Sequence, residues 1–337
     1  MISGNPKYIK DIEFKTADDF LKAISYGGEL RPLLSGCIFR GHYSDKYQLV
    51  PYLLRKGVLE SFFNQGTLSD EDYQRLLQFE DTLFTEEYWI LKHFFNKADR
   101  NGLYIPNVER IRKSLAHPID EIFIEKAERW LPEEFWELAA LAQHYGLPTR
   151  LLDWSYDIYT SLYFATYPLL YESKEIIKEI LLSSKDNNED ATEGKIEIWA
   201  LRYVYLSGFV IDNRLEDCPL KVIRPYYAGN PNLAAQKGLF TLWQVDKSPF
   251  VSDKVKRKLW GGVPLDKQIT DFINSVDADV PDPVFYRITL PKREIPSLLF
   301  KERNAADLFP GYAGVCRAID ESNRLSAIKD LLLRNKN

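Results

Sequence analysis

Apolar positions recur at helical spacing from the start of the chain. Residues 14–24 (FKTADDFLKAI) carry such a pattern, with Thr16 and Asp18 as candidate caps, and predict a short opening helix. Cys37, Ile38 and Phe39 then make a brief apolar run that ends in Arg40 and Gly41, the pattern of a buried strand that delivers a polar residue at its end. Residues 58–136 are charged, rich in Glu, Leu and Phe, and almost free of Pro and Gly except at 102–106 and at Pro118. Leu76, Phe79, Leu83 and Phe84, then Tyr88, Leu91 and Phe95, are three and four apart, so this stretch predicts several one-faced helices.

The pattern changes after Pro132. Residues 135–145 predict a helix closed by Gly146 and Pro148. Residues 150–155 predict a strand-like stretch in which Leu151, Leu152 and Trp154 flank charged groups. A further helix follows, with Asp157 as cap and Ile158, Leu162, Phe164, Ala165 and Leu169 as its face. Residues 183–194 are polar and predict a surface loop. Apolar and polar residues alternate over 196–201, 239–245 and 284–290, which predicts strands. Residues 291–300 connect into a helix, and 324–335 form a terminal amphipathic helix. There is no internal repeat. Helices concentrated in the first half and strands in the second predict an α+β fold.

Composition narrows the function classes. The chain has 337 residues, 45 % apolar and 28 % charged, as expected of a globular protein. A net charge of -5 gives nucleic acid or an anionic lipid surface little pull. Aromatic content is high, with 20 Tyr, 19 Phe and 7 Trp, so ring faces are plentiful for packing and for pocket walls. Cys37, Cys218 and Cys316 form no CxxC pair and have no companion His spacing, so they are expected to be buried thiols rather than zinc ligands, and no metal is expected. No stretch has the apolar length of a secretory h-region or a membrane span, which predicts a cytoplasmic, reduced setting.

Three clusters carry candidate chemistry. The first is Phe39, Arg40, Gly41 and His42, in which Arg40 has a planar fork suited to a phosphate or carboxylate, or else to a structural carboxylate such as Asp153. The second cluster runs from Gln143 to Ser155 and contains His144, Tyr145, Arg150, Asp153 and Trp154. In a strand, Arg150 and Asp153 face opposite sides, so one of them points at the core. Arg40, His144, Arg150 and Asp153 therefore form either a ligand cradle or an interior ion-pair network. His144 has the acid–base range for proton transfer, although a histidine at a helix C-terminus is also a favourable dipole placement. In the third cluster Gln236 stands at a loop-to-strand junction before Phe240, placed to meet a ribose hydroxyl or to stabilise a turn. Neither GxGxxG nor GxxxxGK[ST] occurs, nor HExxH nor GxSxG, so the usual dinucleotide, P-loop, metallopeptidase and α/β-hydrolase markers are missing.

Taken together, Phe39-Arg40-Gly41, QHYGLPTRLLDWS at 143–155, LYFA at 162–165, AQKGLFT at 235–241 and LFPG at 308–311 resemble the FRG-domain family. The resemblance implies one α+β domain with a mixed, mainly antiparallel sheet and a helical insertion at about 58–135. It places a helical segment at 1–36, the domain at 37–320 and a C-terminal helix at 321–337. The motif order is also similar, more distantly, to ADP-ribosyltransferases. There an early strand supplies an NAD-anchoring Arg, matched by Arg40, and a second strand ending in Ser, matched by Ser155, precedes a helix. A third strand carries a catalytic Glu, and here Gln236 stands in that place without the negative charge. The implied function is a nucleotide-like, NAD-like pocket in which Arg40 and Arg150 hold phosphate, His144 and Asp153 form a polar relay, and Gln236 contacts a ribose. Tyr145, Trp154, Ser155 and Phe240 line it. If catalytic, the protein cleaves or transfers from NAD as a bacterial toxin or anti-phage effector. The alternative is a non-catalytic binding or regulatory module whose polar residues are structural and whose 58–135 segment recruits a protein partner. Membrane and nucleic-acid partners are not expected.

Overall fold

The computed structural model describes residues 7–62, 80–116, 129–182, 194–206, 212–246 and 262–334. Nine strands are present among them: β1 Ile9–Glu13, β2 Ile38–His42, β3 Arg129–Trp130, β4 Leu151–Ser155, β5 Lys195–Leu201, β6 Leu220–Ile223, β7 Gly238–Trp243, β8 Val245–Asp246 and β9 Phe285–Pro291. Seven form one sheet in the order β1-β9-β5-β2-β4-β7-β6, and β3 pairs with β8 apart from it. Within the large sheet only β1 and β9 run parallel. The fold is a single α+β domain with a mixed, mainly antiparallel sheet.

The central strands are buried on both faces, which is why β5 reads as an almost unbroken apolar run. Ile196, Ile198 and Ala200 point to one layer, where the helices Ala17–Ile24, Ile158–Thr166 and Lys174–Leu182 pack. Trp199 and Leu201 point to the other, under the helix Leu265–Val276. The helical stretch between β2 and β4 includes the helices Lys56–Phe62, Glu80–Arg100 and Glu109–Ala116. Phe84, Tyr88, Leu91 and Phe95 make its buried stripe against Trp130, Phe135 and the β4–β7 residues Leu151, Phe240 and Leu242. Each fully buried apolar side chain of this kind contributes about 1.5–3 kcal/mol.

Several expectations are revised. The N-terminal segment is not purely helical, because Ile9–Glu13 adds the edge strand β1 beside β9. Its five residues alternate too weakly to signal a strand, and parallel pairing with a strand 276 residues away supplies what the local pattern lacks. Thr16, not Asp18, caps the opening helix, accepting from the Asp19 N–H at 3.2 Å. The last helix is Tyr312–Arg334, starting earlier than its amphipathic pattern indicates. Cys37 and Cys218 are buried, whereas Cys316 is exposed on that helix. Of the expected loop at 183–194, all but Gly194 lies outside the described residues. No helix among the described residues is long and apolar enough to cross a membrane.

Candidate functional site

Two local features bring the motif residues together. Gly41 lies where the helix Ile158–Thr166 crosses β2 so closely that a Cβ would stand 1.9 Å from the Ser161 carbonyl oxygen. Only glycine permits this approach. The helix Trp136–His144 ends in a left-handed Gly146, with the Leu147 N–H returned to the Ala142 carbonyl at 3.0 Å. That turn lays residues 147–150 back onto β4. Gln143 fastens it, accepting from the Thr149 hydroxyl and donating to the Leu151 carbonyl at 3.1 Å and to Asp153 Oδ1 at 2.9 Å.

The strands β2 and β4 share a single registered pair, Phe39 with Ser155, and then part. Arg40 bridges the gap. Its Nη1 donates to the Asp153 carbonyl at 2.8 Å and reaches Asp153 Oδ2 at 3.4 Å, and its Nε donates to His42 Nε2 at 3.1 Å. Among the described residues its Nη2 has no partner. Arginine has no lone pair to offer, so His42 Nε2 is the accepting nitrogen, and Nδ1 carries the proton toward Glu197 Oε2 at 3.2 Å. Glu197 sits directly across from His42 in the β2–β5 register and also accepts from Trp199 Nε1 at 2.6 Å. Arg287 on β9 stands 3.9 Å from Glu197 and pairs with Asp11 on β1. One polar line thus runs through five adjacent strands, from Asp11 to Asp153.

Burial, then the charges of Arg40 and Arg55, push the His42 imidazole down to about 2, so it is neutral throughout the physiological range. Burial pushes the Glu197 carboxyl up to about 8, against the Trp199 hydrogen bond and the Arg287 charge. Burial lowers the His144 pKa, and the Asp153 charge partly restores it.

His144 and the Arg40–Asp153 end of this polar line border a cleft of about 410 Å³, with His42 and Glu197 buried behind it. Arg40, His144, Asp153, Trp154, Ser155 and Gln236 all line it. Phe164, Tyr167 and Phe309 form an aromatic wall, with Phe164 6.2 Å from Tyr167 and 6.4 Å from Phe309, centre to centre. The Arg317 guanidinium backs that wall, 4.8 Å from the Tyr167 ring and 4.7 Å from Phe309, and is itself held by Glu321 at 2.8 Å. The Asp153 side chain is 59 % exposed while Arg40 is only 14 % exposed, so the carboxylate is the accessible charge of the pair.

Other predicted residues have internal duties. Ser155 Oγ donates to the Gln236 carbonyl at 2.7 Å and accepts from the Asp157 N–H at 2.9 Å. Gln236 Nε2 donates to the Leu308 carbonyl at 3.2 Å, tying the third motif to LFPG. Trp154 is buried and gives its N–H to Thr241 at 2.8 Å. Three residues stand away from the cleft. Arg150 is buried, donating its Nε to Glu87 Oε2 at 2.5 Å, so it joins the helical insertion to β4 rather than facing a phosphate. Phe240 is buried in that same contact. Tyr145 is exposed and borders a different cavity. Asp153 is held by Arg40 and Gln143 rather than by His144.

Sequence reasoning places His42 in the first cluster without a role, misses Glu197, and gives Asp157 one duty of two. His42 had a signal, being two residues from Arg40 and hence on the same strand face. So had Glu197, a lone carboxylate inside the apolar run of β5. Asp157 was read only as a cap; it caps Tyr159 at 3.1 Å and also takes Arg303 at 2.8 Å, a contact with no local signature.

The fold and cleft define an α+β domain with its motif residues gathered at the place where two central strands part. A family model of the FRG domain matches residues 35–174, and the chain carries an FRG domain over that span. The match contains β2, the Gln143–Ser155 stretch and the helix Ile158–Thr166, whereas Gln236 and Phe309 on the far side of the cleft lie beyond it. No curated protein and no solved structure matches the chain.

Proposed function

We propose that this cleft binds a nucleotide-like ligand, with NAD as substrate, and that its chemistry is cleavage of the bond between ribose and nicotinamide. The observation that carries the reading is Asp153, an exposed carboxylate held in place by Arg40 and Gln143 at the edge of an aromatic-walled cleft. Gln236 cannot oppose the positive charge that develops on a ribose ring, but Asp153 can. Nη2 of Arg40, which has no partner among the described residues, is the group assigned in this reading to a phosphate oxygen. Phe164, Tyr167 and Phe309 offer faces for the base. In hydrolysis the bond from C1′ to the nicotinamide nitrogen breaks with its electron pair going to nicotinamide. Water adds to C1′, and its proton passes to His144 and then to solvent. Transfer to a macromolecule replaces water with an acceptor hydroxyl, amine or carboxylate. Such an enzyme drains a shared dinucleotide, which suits a toxin or anti-phage effector.

The test follows nicotinamide release from NAD by purified protein and by Asp153→Asn, which keeps the shape and removes the charge. Release by the wild type and a loss of about 10²-fold or more in the variant is the expected result. No release, with no shift in melting temperature on adding NAD, sinks the reading. A second reading then leads: a non-catalytic binding or regulatory module, favoured by the internal partners of Ser155, Gln236 and Arg150.

A further inference from the structure

A second cavity, of about 420 Å³, is lined by other residues of the helix Trp136–His144, among them Glu137 and Leu141. Three separate pieces of chain build it. Phe94 comes from the helix Glu80–Arg100, and Leu103 and Tyr104 from the turn after it. Glu137 and the C-cap residue Tyr145 come from the helix Trp136–His144, and Tyr226 from the segment ahead of Asn230. Tyr104, Tyr145 and Tyr226 are all exposed, and the lining apart from Glu137 carries no charged side chain.

Glu137 is unusual there. It is half-buried, and its one hydrogen bond among the described residues is a long one, 3.4 Å, from the Tyr226 N–H. Burial raises its carboxyl pKa and that N–H lowers it, and no cation among the described residues contributes. Arg110 pairs with Glu134 at 2.7 Å, and Arg224 lies over the rings of Tyr156 and Tyr227. A partly desolvated carboxylate without a counter-charge is unfavourable unless something supplies one. A cavity lined by tyrosine rings and a single carboxylate suits an alkylated ammonium, whose charge is spread over methyl groups and which gives up its hydration easily. A neutral apolar molecule would fit the rings but leave the carboxylate unanswered, and an anion would be repelled.

We propose that this cavity is a binding site for a small quaternary ammonium compound, with Glu137 as counter-charge and Tyr104, Tyr145 and Tyr226 as the surrounding rings. The site is independent of the NAD reading, since it shares no lining residue with the first cleft. The experiment titrates the full chain with choline and, in parallel, with 3,3-dimethylbutan-1-ol, its neutral carbon isostere, at low salt, by NMR. Choline is expected to bind saturably, about tenfold more tightly than the isostere, and to show contacts between its methyl groups and the rings of Tyr104 and Tyr226. Glu137→Gln is expected to weaken choline by about tenfold and leave the isostere unchanged. Equal affinity of the two probes for the wild type overturns the proposal without recourse to any variant. So does the absence of saturation up to about 10 mM choline, or methyl contacts at other residues only.

Discussion

Arg40 donates its Nε–H to His42, two residues further along the same strand, at 3.1 Å. The contact uses the period of two, which puts both side chains on one face of β2, and it fixes both the arginine and the imidazole tautomer. With Nε spent on His42 and Nη1 on Asp153, only Nη2 of Arg40 has no partner among the described residues. His42 in turn is held by Glu197, so the charge at the cleft edge is oriented from inside the sheet.

Replacing His42 tests that arrangement. His42→Leu leaves the Arg40 Nε–H without an acceptor and takes a donor from buried Glu197, and should cost about 1–3 kcal/mol in urea unfolding. His42→Gln can accept with its carbonyl and donate with its amide, and should recover most of that loss. Equal destabilisation by the two variants would show that ring packing, not hydrogen bonding, is what His42 contributes.

The pair also sets a pH dependence. Glu197 is raised from 4.5 to about 8, so its contribution is fully present below pH 4.5 and is lost as pH rises through 8. His42 is lowered from 6.5 to about 2, so its contribution is present above pH 6.5 and is lost as pH falls toward 2. Between 4.5 and 6.5 the two slopes oppose and cancel. From 6.5 to 8 the Glu197 slope acts alone, at roughly 1.4 kcal/mol per pH unit. Unfolding free energies over this range should show a plateau and then a decline, and Glu197→Gln should remove the decline. A wild-type stability that climbs from 6.5 to 8 would contradict the assignment.

Gly41→Ala introduces a Cβ 1.9 Å from the Ser161 carbonyl oxygen, and the atom it meets is backbone. The helix Ile158–Thr166 must then lift from β2. A loss of about 3 kcal/mol or more is expected, read as a lower urea midpoint or an insoluble product. A near-native midpoint would mean that the helix can shift at little cost.

Glu87 and Arg150 should behave as a unit. Glu87→Leu strands a buried guanidinium, and a cost of about 3–5 kcal/mol is expected. The double variant Glu87→Leu, Arg150→Met removes both charges and should regain a large part of it. Additive losses in the double-mutant cycle would show that the two residues do not depend on each other.

Much of the architecture is written locally. The helix Ile158–Thr166 with its Asp157 cap and the strands β5, β7 and β9 follow from periodicity and turn chemistry, because those signals depend on neighbours in the chain. The motif residues Arg40, His144, Asp153 and Gln236 were legible as polar groups among apolar ones. Their separate duties were not. Arg150 and Asp153 have the same kind of neighbours in sequence, and the alternation of β4 says only that one faces inward. Which one was decided by Glu87, a single carboxylate on the buried stripe of a helix 63 residues earlier. β1 was hidden for the same reason, since its partner β9 lies 276 positions away and five residues carry too little pattern of their own. Composition and local periodicity determined that this chain is an α+β domain with polar motifs at strand ends. Only the tertiary structure, through pairings between residues far apart in the chain, decided that Asp153 faces solvent, that Arg150 is interior, and that His42 and Glu197 stand behind Arg40.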